Sequence, residues 1–128
     1  MVKYGEVATR AARLSQQQNG MNPVKAWNQA ALEIFPDSES SQKKGCPKNA
    51  FLGLCEEGKV KDIQSGKYTR SLKNKKYALA ALALLKHDPT LANDKVTLWN
   101  KVQSGNDKQH NYQMDVVVSL WKDDQLDD

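Results

Sequence analysis

Residues 74–87 have the sequence NKKYALAALALLKH, and this stretch decides the fold class. Its apolar residues fall on almost every side of a helix, and a helix that is apolar all round is typically buried all round. Ser71 stands where a helix cap is preferred, and the stretch ends at Asp88-Pro89 because proline cannot continue a helix. The sequence therefore predicts a central helix that is hidden from water and enclosed by the rest of the chain.

Two further helices are predicted on the N-terminal side. Apolar residues recur at three- and four-residue intervals within 3–18, and Gly20 ends this pattern. A second pattern begins at Asn22-Pro23, a capping residue followed by a proline suited to a first turn, and it stops at Pro36. The pair forms either a helical hairpin or a helix-turn-helix, and the sequence does not choose between them.

The middle of the chain predicts one helix followed by a less regular segment. Pro47 suits the start of a helix whose apolar face includes Phe51, and Glu57-Gly58 resembles its C-terminal cap. Residues 59–70, interrupted by Gly66, are compatible with a loop or a short hairpin. This is the one place where the sequence allows β-structure.

The C-terminal part predicts two more helices. Leu91, Val96, Trp99 and Val102 mark a fifth, which ends near Gly105. A sixth begins near Met114 and has a wide apolar face. The fold class that follows is an all-α orthogonal bundle of about six helices, with room for one small β-hairpin near residues 59–70. We expect a single helical domain over residues 1–128 with a frayed acidic tail at 123–128.

Composition and chain length exclude several classes of protein. The longest apolar run, residues 78–85, is far shorter than the roughly 20 residues that cross a bilayer, and the first residues lack the apolar core of an export signal. The chain has only two cysteines, fewer than a secreted disulfide scaffold of this size usually carries. A cytoplasmic protein without membrane contact is the expectation.

Positive charge is concentrated in residues 41–76, which contain ten Lys and Arg but three acidic residues, whereas the whole chain has a net charge of +4. Such a segment favours an anionic partner such as nucleic acid, because lysines can bind phosphates and Tyr68 can stack on a base. Evenly spaced lysines are also typical of an ordinary solvated surface. The predicted ligand-binding residues are Ser41, Gln42, Lys43, Lys44, Lys48, Lys59, Lys61, Lys67, Tyr68 and Arg70, with Lys73, Lys75 and Lys76 completing the basic set.

Cys46 and His110 are the candidate catalytic residues. Cys46 lies beside the predicted helix start at Pro47, where the helix dipole and nearby lysines would favour a thiolate, and His110 is a candidate base. The alternative for Cys46 is that it fills a small apolar gap, and for His110 that it is a hydrogen-bonded structural residue. The spacing of Cys46 and Cys55 is not that of a zinc site, and no phosphate-binding or hydrolase motif occurs, so no metal or cofactor is expected. Asp115 is expected to be solvated.

Three tryptophans support another hypothesis, a homodimer. Trp27, Trp99 and Trp121 are many large rings for a small core, and tryptophan is enriched at protein interfaces. The alternative is that all three fill the core.

Parts of the sequence resemble an uncharacterised family of small bacterial proteins. The likeness is carried by residues 41–58, SQKKGCPKNAFLGLCEEG, and by the later segments NKKYA at 74–78 and HNYQMDVV at 110–117. It implies a stand-alone bacterial protein of the kind carried on mobile gene cassettes, and it brings no activity or site residues.

Function therefore rests on the residues themselves. The leading hypothesis is a non-enzymatic binding or regulatory module whose segment 41–76 binds an anionic partner such as nucleic acid. The alternatives are a small-molecule site or enzyme centred on Cys46, the 41–48 loop and His110, and a homo-oligomeric interaction protein.

Overall fold

The computed structural model describes residues 3–17, 20–103 and 112–127, and within them the chain is all-α, as the sequence predicts. Six helices have nine or more residues, and a single-turn helix and a 3-10 helix complete the described part. The helices are α1 (Tyr4–Gln16), α2 (Pro23–Ile34), α3 (Glu39–Gln42), α4 (Gly45–Glu56), α5 (Leu72–His87), the 3-10 helix Pro89–Asn93, α6 (Lys95–Gln103) and α7 (Gln113–Lys122).

Side-chain caps start three of these elements where the sequence places them. The Asn22 side chain accepts a hydrogen bond from the backbone N–H of Val24 at 2.8 Å, and Pro23 follows as the first helical residue. Ser71 caps α5 in the same way. Asp88, which ends α5, also caps the 3-10 helix that follows. Each cap satisfies an amide that has no partner within its own helix.

Helix α7, rather than α5, is the enclosed helix of the bundle. It contacts α1, α4, α5, α6 and the 3-10 helix, and seven of its ten residues are buried. The three successive valines at 116–118 intrinsically favour a strand, yet they form a helix because helical spacing places them against several neighbours at once. The core therefore lies around α7, with α1 as its main partner and α4 and α5 next.

The prediction that residues 74–87 are buried nearly all round is wrong. The stretch is helical, but only Ala78, Ala81, Leu82 and Leu85 are buried in α5. Ala83 lies on the exposed side, where a methyl group costs little free energy in water. Alanine is the best helix former, so an alanine-rich stretch indicates a helix more strongly than it indicates burial.

The hairpin allowed near residues 59–70 is absent from the part of the chain that the structure describes. Val60 instead forms an isolated antiparallel bridge with Leu126, and residues 57–71 form the loop between α4 and α5, called the 57–71 loop below. The tail is held, not frayed, over residues 123–127, because Leu126 is buried and the backbone N–H of Asp127 donates to the carbonyl of Lys59 at 2.8 Å. The tail therefore pairs with the start of the loop through a single bridge, and the loop alternative for residues 59–70 is the one that the structure has.

The tryptophans divide between core and surface. Trp27 and Trp99 are buried, whereas Trp121 is half-buried at the end of α7. Core filling thus accounts for two of the three rings, and the homodimer stays a prediction. No described helix combines the length and the apolar character needed to cross a bilayer.

Candidate functional site

The predicted ligand-binding residues lie in different places, and two clefts bring some of them together. Lys48, Tyr68 and Arg70 line one cleft, and Ser41 and Lys44 line another. The remaining five lie elsewhere. Lys43 pairs with Glu39, Lys61 pairs with Asp124, and Gln42 donates to the carbonyl of Phe35, while Lys59 and Lys67 lie in the 57–71 loop.

The first cleft, called the loop cleft, has a volume of about 540 Å³ and lies between α2, α4 and the 57–71 loop. Its charged groups are the ammonium of Lys48 and the guanidinium of Arg70, and no acidic side chain is among its described lining residues. Its lining residues are Val24, Lys48, Asn49, Leu52, Tyr68, Thr69, Arg70 and Ser71.

Glu56, the last residue of α4, holds the loop that forms one wall of this cleft. One carboxylate oxygen accepts hydrogen bonds from the backbone N–H groups of Tyr68 at 2.8 Å and Thr69 at 3.3 Å. The other accepts from the ammonium of Lys75 at 2.6 Å. Because one carboxylate joins the end of α4, the loop and the first turns of α5, the backbone beside Arg70 is fixed before any ligand binds.

These partners determine the ionisation of Glu56. The hydrogen bond from Lys75, followed by those from the backbone of Tyr68 and Thr69, lowers the pKa of Glu56 from 4.5 to about 2. The same contact, together with one to Glu57, raises the pKa of Lys75. Both groups are therefore charged throughout the neutral range, and Lys75, one of the lysines expected to bind phosphate, acts in the structure as a loop support.

Side-chain hydrogen bonds complete the wall of the loop cleft. The Thr69 hydroxyl donates to the Asn49 side-chain oxygen at 2.8 Å and accepts from the backbone N–H of Ser71 at 3.0 Å. The Tyr68 hydroxyl donates to the carbonyl of Gln64 at 2.6 Å, so its ring is held at the cleft. A Cβ at Gly66 would lie 3.0 Å from the Tyr68 ring, and the absence of a side chain there lets the ring fold back over the loop.

The second cleft, called the tyrosine cleft, has a volume of about 560 Å³ and lies beside the start of α1. The Tyr4 ring lies 5.0 Å from the Phe35 ring and 4.9 Å from the Tyr112 ring, measured between centroids. The Lys44 ammonium lies 5.7 Å from the centroid of Tyr112. The lining residues are Lys3, Tyr4, Phe35, Ser40, Ser41, Lys44 and Tyr112.

The catalytic candidates do not assemble into a described site. Helix α4 begins at Gly45 rather than Pro47, so Cys46 is its second residue, where it is half-buried. Cys46 is not among the described residues that line either cleft, and His110 lies outside the described residues. Cys55 is buried, and burial raises the pKa of its thiol, which keeps it protonated. Among the described residues, no three His, Cys, Asp or Glu side chains are grouped as a metal site would require.

The sequence does not identify several of the residues that build the two clefts. Glu56 lies at the polar end of a predicted helix, and Tyr4 and Phe35 fall at apolar positions of helical patterns, so none of the three is marked as a site residue by the sequence. Asp115, expected to be solvated, is buried on α7 and forms an ion pair with Lys95. A carboxylate directly after a helical apolar face and before a loop is the one local signal that could have indicated Glu56.

Comparisons with known proteins identify the family of the chain but carry no information about its activity. No curated protein and no solved structure gives a match. The resemblance to an uncharacterised family is confirmed across almost the whole sequence. Residues 1–127 match the model described as a family of unknown function, DUF6979, and the chain therefore belongs to that family.

Proposed function

We propose that this protein is a non-enzymatic binding module that binds single-stranded nucleic acid in the loop cleft. The observation that carries the proposal is the meeting of Lys48, Tyr68 and Arg70 in one cleft. Proteins bind single-stranded nucleic acid with basic groups that follow its phosphate backbone and with aromatic side chains on which its bases stack. The loop cleft offers both kinds of group within one site.

The charges of the cleft support an anionic ligand. Lys48 and Arg70 form no ion pair with any described residue, in contrast to Lys43, Lys61 and Lys75, which are paired with acids. Lys67 and Lys73, both exposed, lie close along the chain to the cleft wall and extend the positive charge. Charges that are not neutralised within the protein remain available to phosphates, and Arg binds a phosphate with two parallel hydrogen bonds.

The rigidity of the wall supports the same proposal. Glu56 and Thr69 fix the backbone on both sides of Tyr68 and Arg70, so binding does not have to order this part of the loop. Pre-ordered groups lose less conformational entropy on binding, and affinity rises accordingly. The polar groups of Asn49 and Ser71 stand beside the charged ones, as expected for a surface that binds a phosphate backbone.

Fluorescence anisotropy with a labelled strand of about twelve thymidines tests the proposal, since this length spans a typical single-strand site. The double variant Lys48→Gln/Arg70→Gln is expected to lose at least about tenfold in affinity. Because two phosphate contacts are removed, the negative slope of log affinity against log salt is expected to become shallower by about 1.4. Tyr68→Leu, which removes only the ring face, is expected to lose about tenfold at constant slope.

The matched control is the double variant Lys86→Gln/Lys101→Gln, which removes the same charge from exposed positions on α5 and α6. Lys86 lies about 22 Å along the helix axis from Ser71, well away from the cleft. If this control loses as much affinity as Lys48→Gln/Arg70→Gln, the attraction is general and the proposal fails. It also fails if the wild-type protein does not bind the strand at low salt, or if polyglutamate competes as well as the oligonucleotide.

A further inference from the structure

We propose that the tyrosine cleft is a second, separate binding site, whose ligand is a small aromatic anion such as an aromatic carboxylate. The cleft shares no lining residue with the loop cleft, and its volume of about 560 Å³ falls within the range of small-molecule sites. The inference concerns a different surface and a different class of ligand from the proposed nucleic-acid site.

An aromatic cluster forms the apolar part of this site. Tyr4 is buried at the centre of the cluster, with Phe35 and Tyr112 half-buried on either side of it. The rings are tilted relative to one another by 48° and 38°, so they do not stack flat against each other. A planar ligand ring can pack against such a cluster in the offset or edge-to-face arrangements that aromatic pairs prefer.

Two ammonium groups form the charged part. Lys3 and Lys44 line the cleft, and no acidic side chain is among the described residues that do. Lys44 lies near the face of the Tyr112 ring and makes no ion pair within the described part of the chain, so no described carboxylate neutralises its charge. Hydroxyl groups of Ser40 and Ser41 stand beside the lysines and can donate hydrogen bonds to an anion.

The backbone of Tyr112 is strained in a way that serves the cleft. Its φ is 70°, in the left-handed region that a bulky residue rarely adopts, and it immediately precedes α7. Strained backbone of this kind occurs preferentially at ligand-binding sites, where surrounding contacts enforce it. Here it accompanies a ring placed between Tyr4 and Lys44, joining the apolar part of the cleft to its charged part.

The hydrogen bond of Tyr4 fixes the remaining wall. Its hydroxyl donates to the carbonyl of Ser41 at 3.0 Å, which joins the start of α1 to α3. Burial raises the pKa of Tyr4, so the phenol stays protonated and adds no negative charge to the cleft. An anion entering the site therefore meets positive and neutral groups only, among the residues that the structure describes.

A titration with 2-naphthoate, monitored by isothermal titration calorimetry, tests this inference. Neutral 2-naphthamide, which keeps the rings, and cyclohexanecarboxylate, which keeps the charge, are each expected to bind at least about tenfold more weakly. Lys44→Met is expected to weaken naphthoate binding at least about fivefold. Lys43→Met is the matched control, because the neighbouring lysine is paired with Glu39 and does not line the cleft.

Tyr112→Gly adds a readout that a purely structural role would not produce. Glycine adopts the left-handed conformation at no steric cost, which offsets part of the packing lost with the half-buried ring, so the protein is expected to remain folded in thermal unfolding while naphthoate binding is lost. Lys48→Gln/Arg70→Gln is expected to leave naphthoate binding unchanged, which separates this site from the proposed nucleic-acid site. Equal binding of naphthoate and naphthamide, equal binding by wild type and Lys44→Met, or no binding of naphthoate to the wild type would each overturn the inference.

Discussion

Glu56 is the single residue on which the loop cleft depends most. Its carboxylate accepts hydrogen bonds from Tyr68, Thr69 and Lys75, and its side chain is only 12% exposed. A glutamine has the same shape but brings no charge and only one acceptor oxygen. It would keep some of these bonds and leave the others weak or unmade.

Glu56→Gln is therefore expected to lower the free energy of unfolding by about 2 kcal/mol at pH 7, since hydrogen bonds to charged groups are the stronger ones. Because folding lowers the pKa of Glu56 from 4.5 to about 2, its contribution is complete above pH 4.5 and disappears as the pH falls toward 2. Urea unfolding of both proteins across this range measures the difference.

Glu57→Gln is the matched control, because Glu57 also pairs with Lys75 but is 44% exposed, and the described hydrogen bonds from the backbone of Tyr68 and Thr69 go to Glu56 instead. Its effect is expected to stay below about 1 kcal/mol, as for other exposed ion pairs. A stability difference for Glu56→Gln that persists unchanged at pH 2 would contradict the role assigned to the carboxylate.

Residue types alone predict the candidate ligand-binding residues of the clefts better than they predict which residues form hydrogen bonds and ion pairs with one another. Lys48, Tyr68 and Arg70 were singled out because cations and aromatic rings bind nucleic acid wherever they meet. The contacts of Glu56 and Asp115 could not be predicted because their partners, Thr69 and Lys95, lie 13 and 20 positions away along the chain. Helical periodicity shows which face a residue occupies, but it does not show which neighbour that face meets.

At the scale of the elements, the contact between α4 and α5 depends on a glycine. A Cβ added at Gly53 would lie 2.7 Å from both Cα and Cβ of Lys75, and backbone cannot yield as a flexible side chain does. The two helices are therefore close enough to exclude even a methyl group. This approach also brings Lys75 within reach of Glu56, so the packing of the helices and the support of the loop are linked.

Gly53→Ala is expected to destabilise the protein by about 1–3 kcal/mol, despite alanine's better helix propensity, because α4 and α5 must separate. Gly45→Ala provides the control, since its Cβ would meet only an ordinary contact at 3.6 Å from Asn49. Thermal unfolding distinguishes the two. An alanine at 53 that is neutral or stabilising would show that the helices are not in close contact.

Local signals predicted the elements well where caps and breakers mark them. Asn22-Pro23, Ser71 and Asp88 start or end helices for reasons that lie within a few residues of sequence. One expectation that depended on tertiary neighbours was wrong, and one alternative that the sequence left open is decided by the structure. The burial of α5 on all sides required a layer of helices that is not there. The sequence of residues 59–70 is compatible with a loop or a short hairpin, and the structure has the loop, in which Val60 bridges to the distant residue Leu126.

At the scale of the whole molecule, the C-terminal residues close the structure around the 57–71 loop. Leu126 is 4% exposed, and its bridge to Val60 is flanked by backbone hydrogen bonds on both sides. Arg13 on α1 also binds both carboxylate oxygens of Asp123, at 3.0 and 2.9 Å. The tail thus attaches the first residues of the loop to the same core that supports α4 and α5.

Leu126→Ala is expected to lower the free energy of unfolding by about 2–4 kcal/mol, because it removes a buried side chain and leaves a cavity. Hydrogen exchange of the Lys61 amide, which donates to the carbonyl of Gln125, is expected to accelerate as well. Asp127→Ala, an exposed substitution that keeps the backbone N–H, serves as the control and is expected to change neither. Slow exchange at Lys61 in Leu126→Ala would show that the tail does not hold the loop.

The clefts themselves are properties of the whole molecule. The loop cleft joins α2, α4 and the 57–71 loop, and the tyrosine cleft joins α1, the residues around α3 and the residue before α7. Helical periodicity within one element does not show which residues of different helices line the same cleft, because this depends on how the helices cross. The fold class was thus accessible from sequence, whereas the grouping of site residues required the tertiary structure.

The central claim is that the wall of the loop cleft is where single-stranded nucleic acid binds, and backbone amide NMR shifts measure this directly. Titration with a strand of about twelve thymidines is expected to shift the amides of residues 48–52 and 66–73 first and most, with the Arg70 side-chain Nε–H signal moving in parallel. Shifts spread evenly over all exposed lysines, or concentrated on α6, would contradict the account.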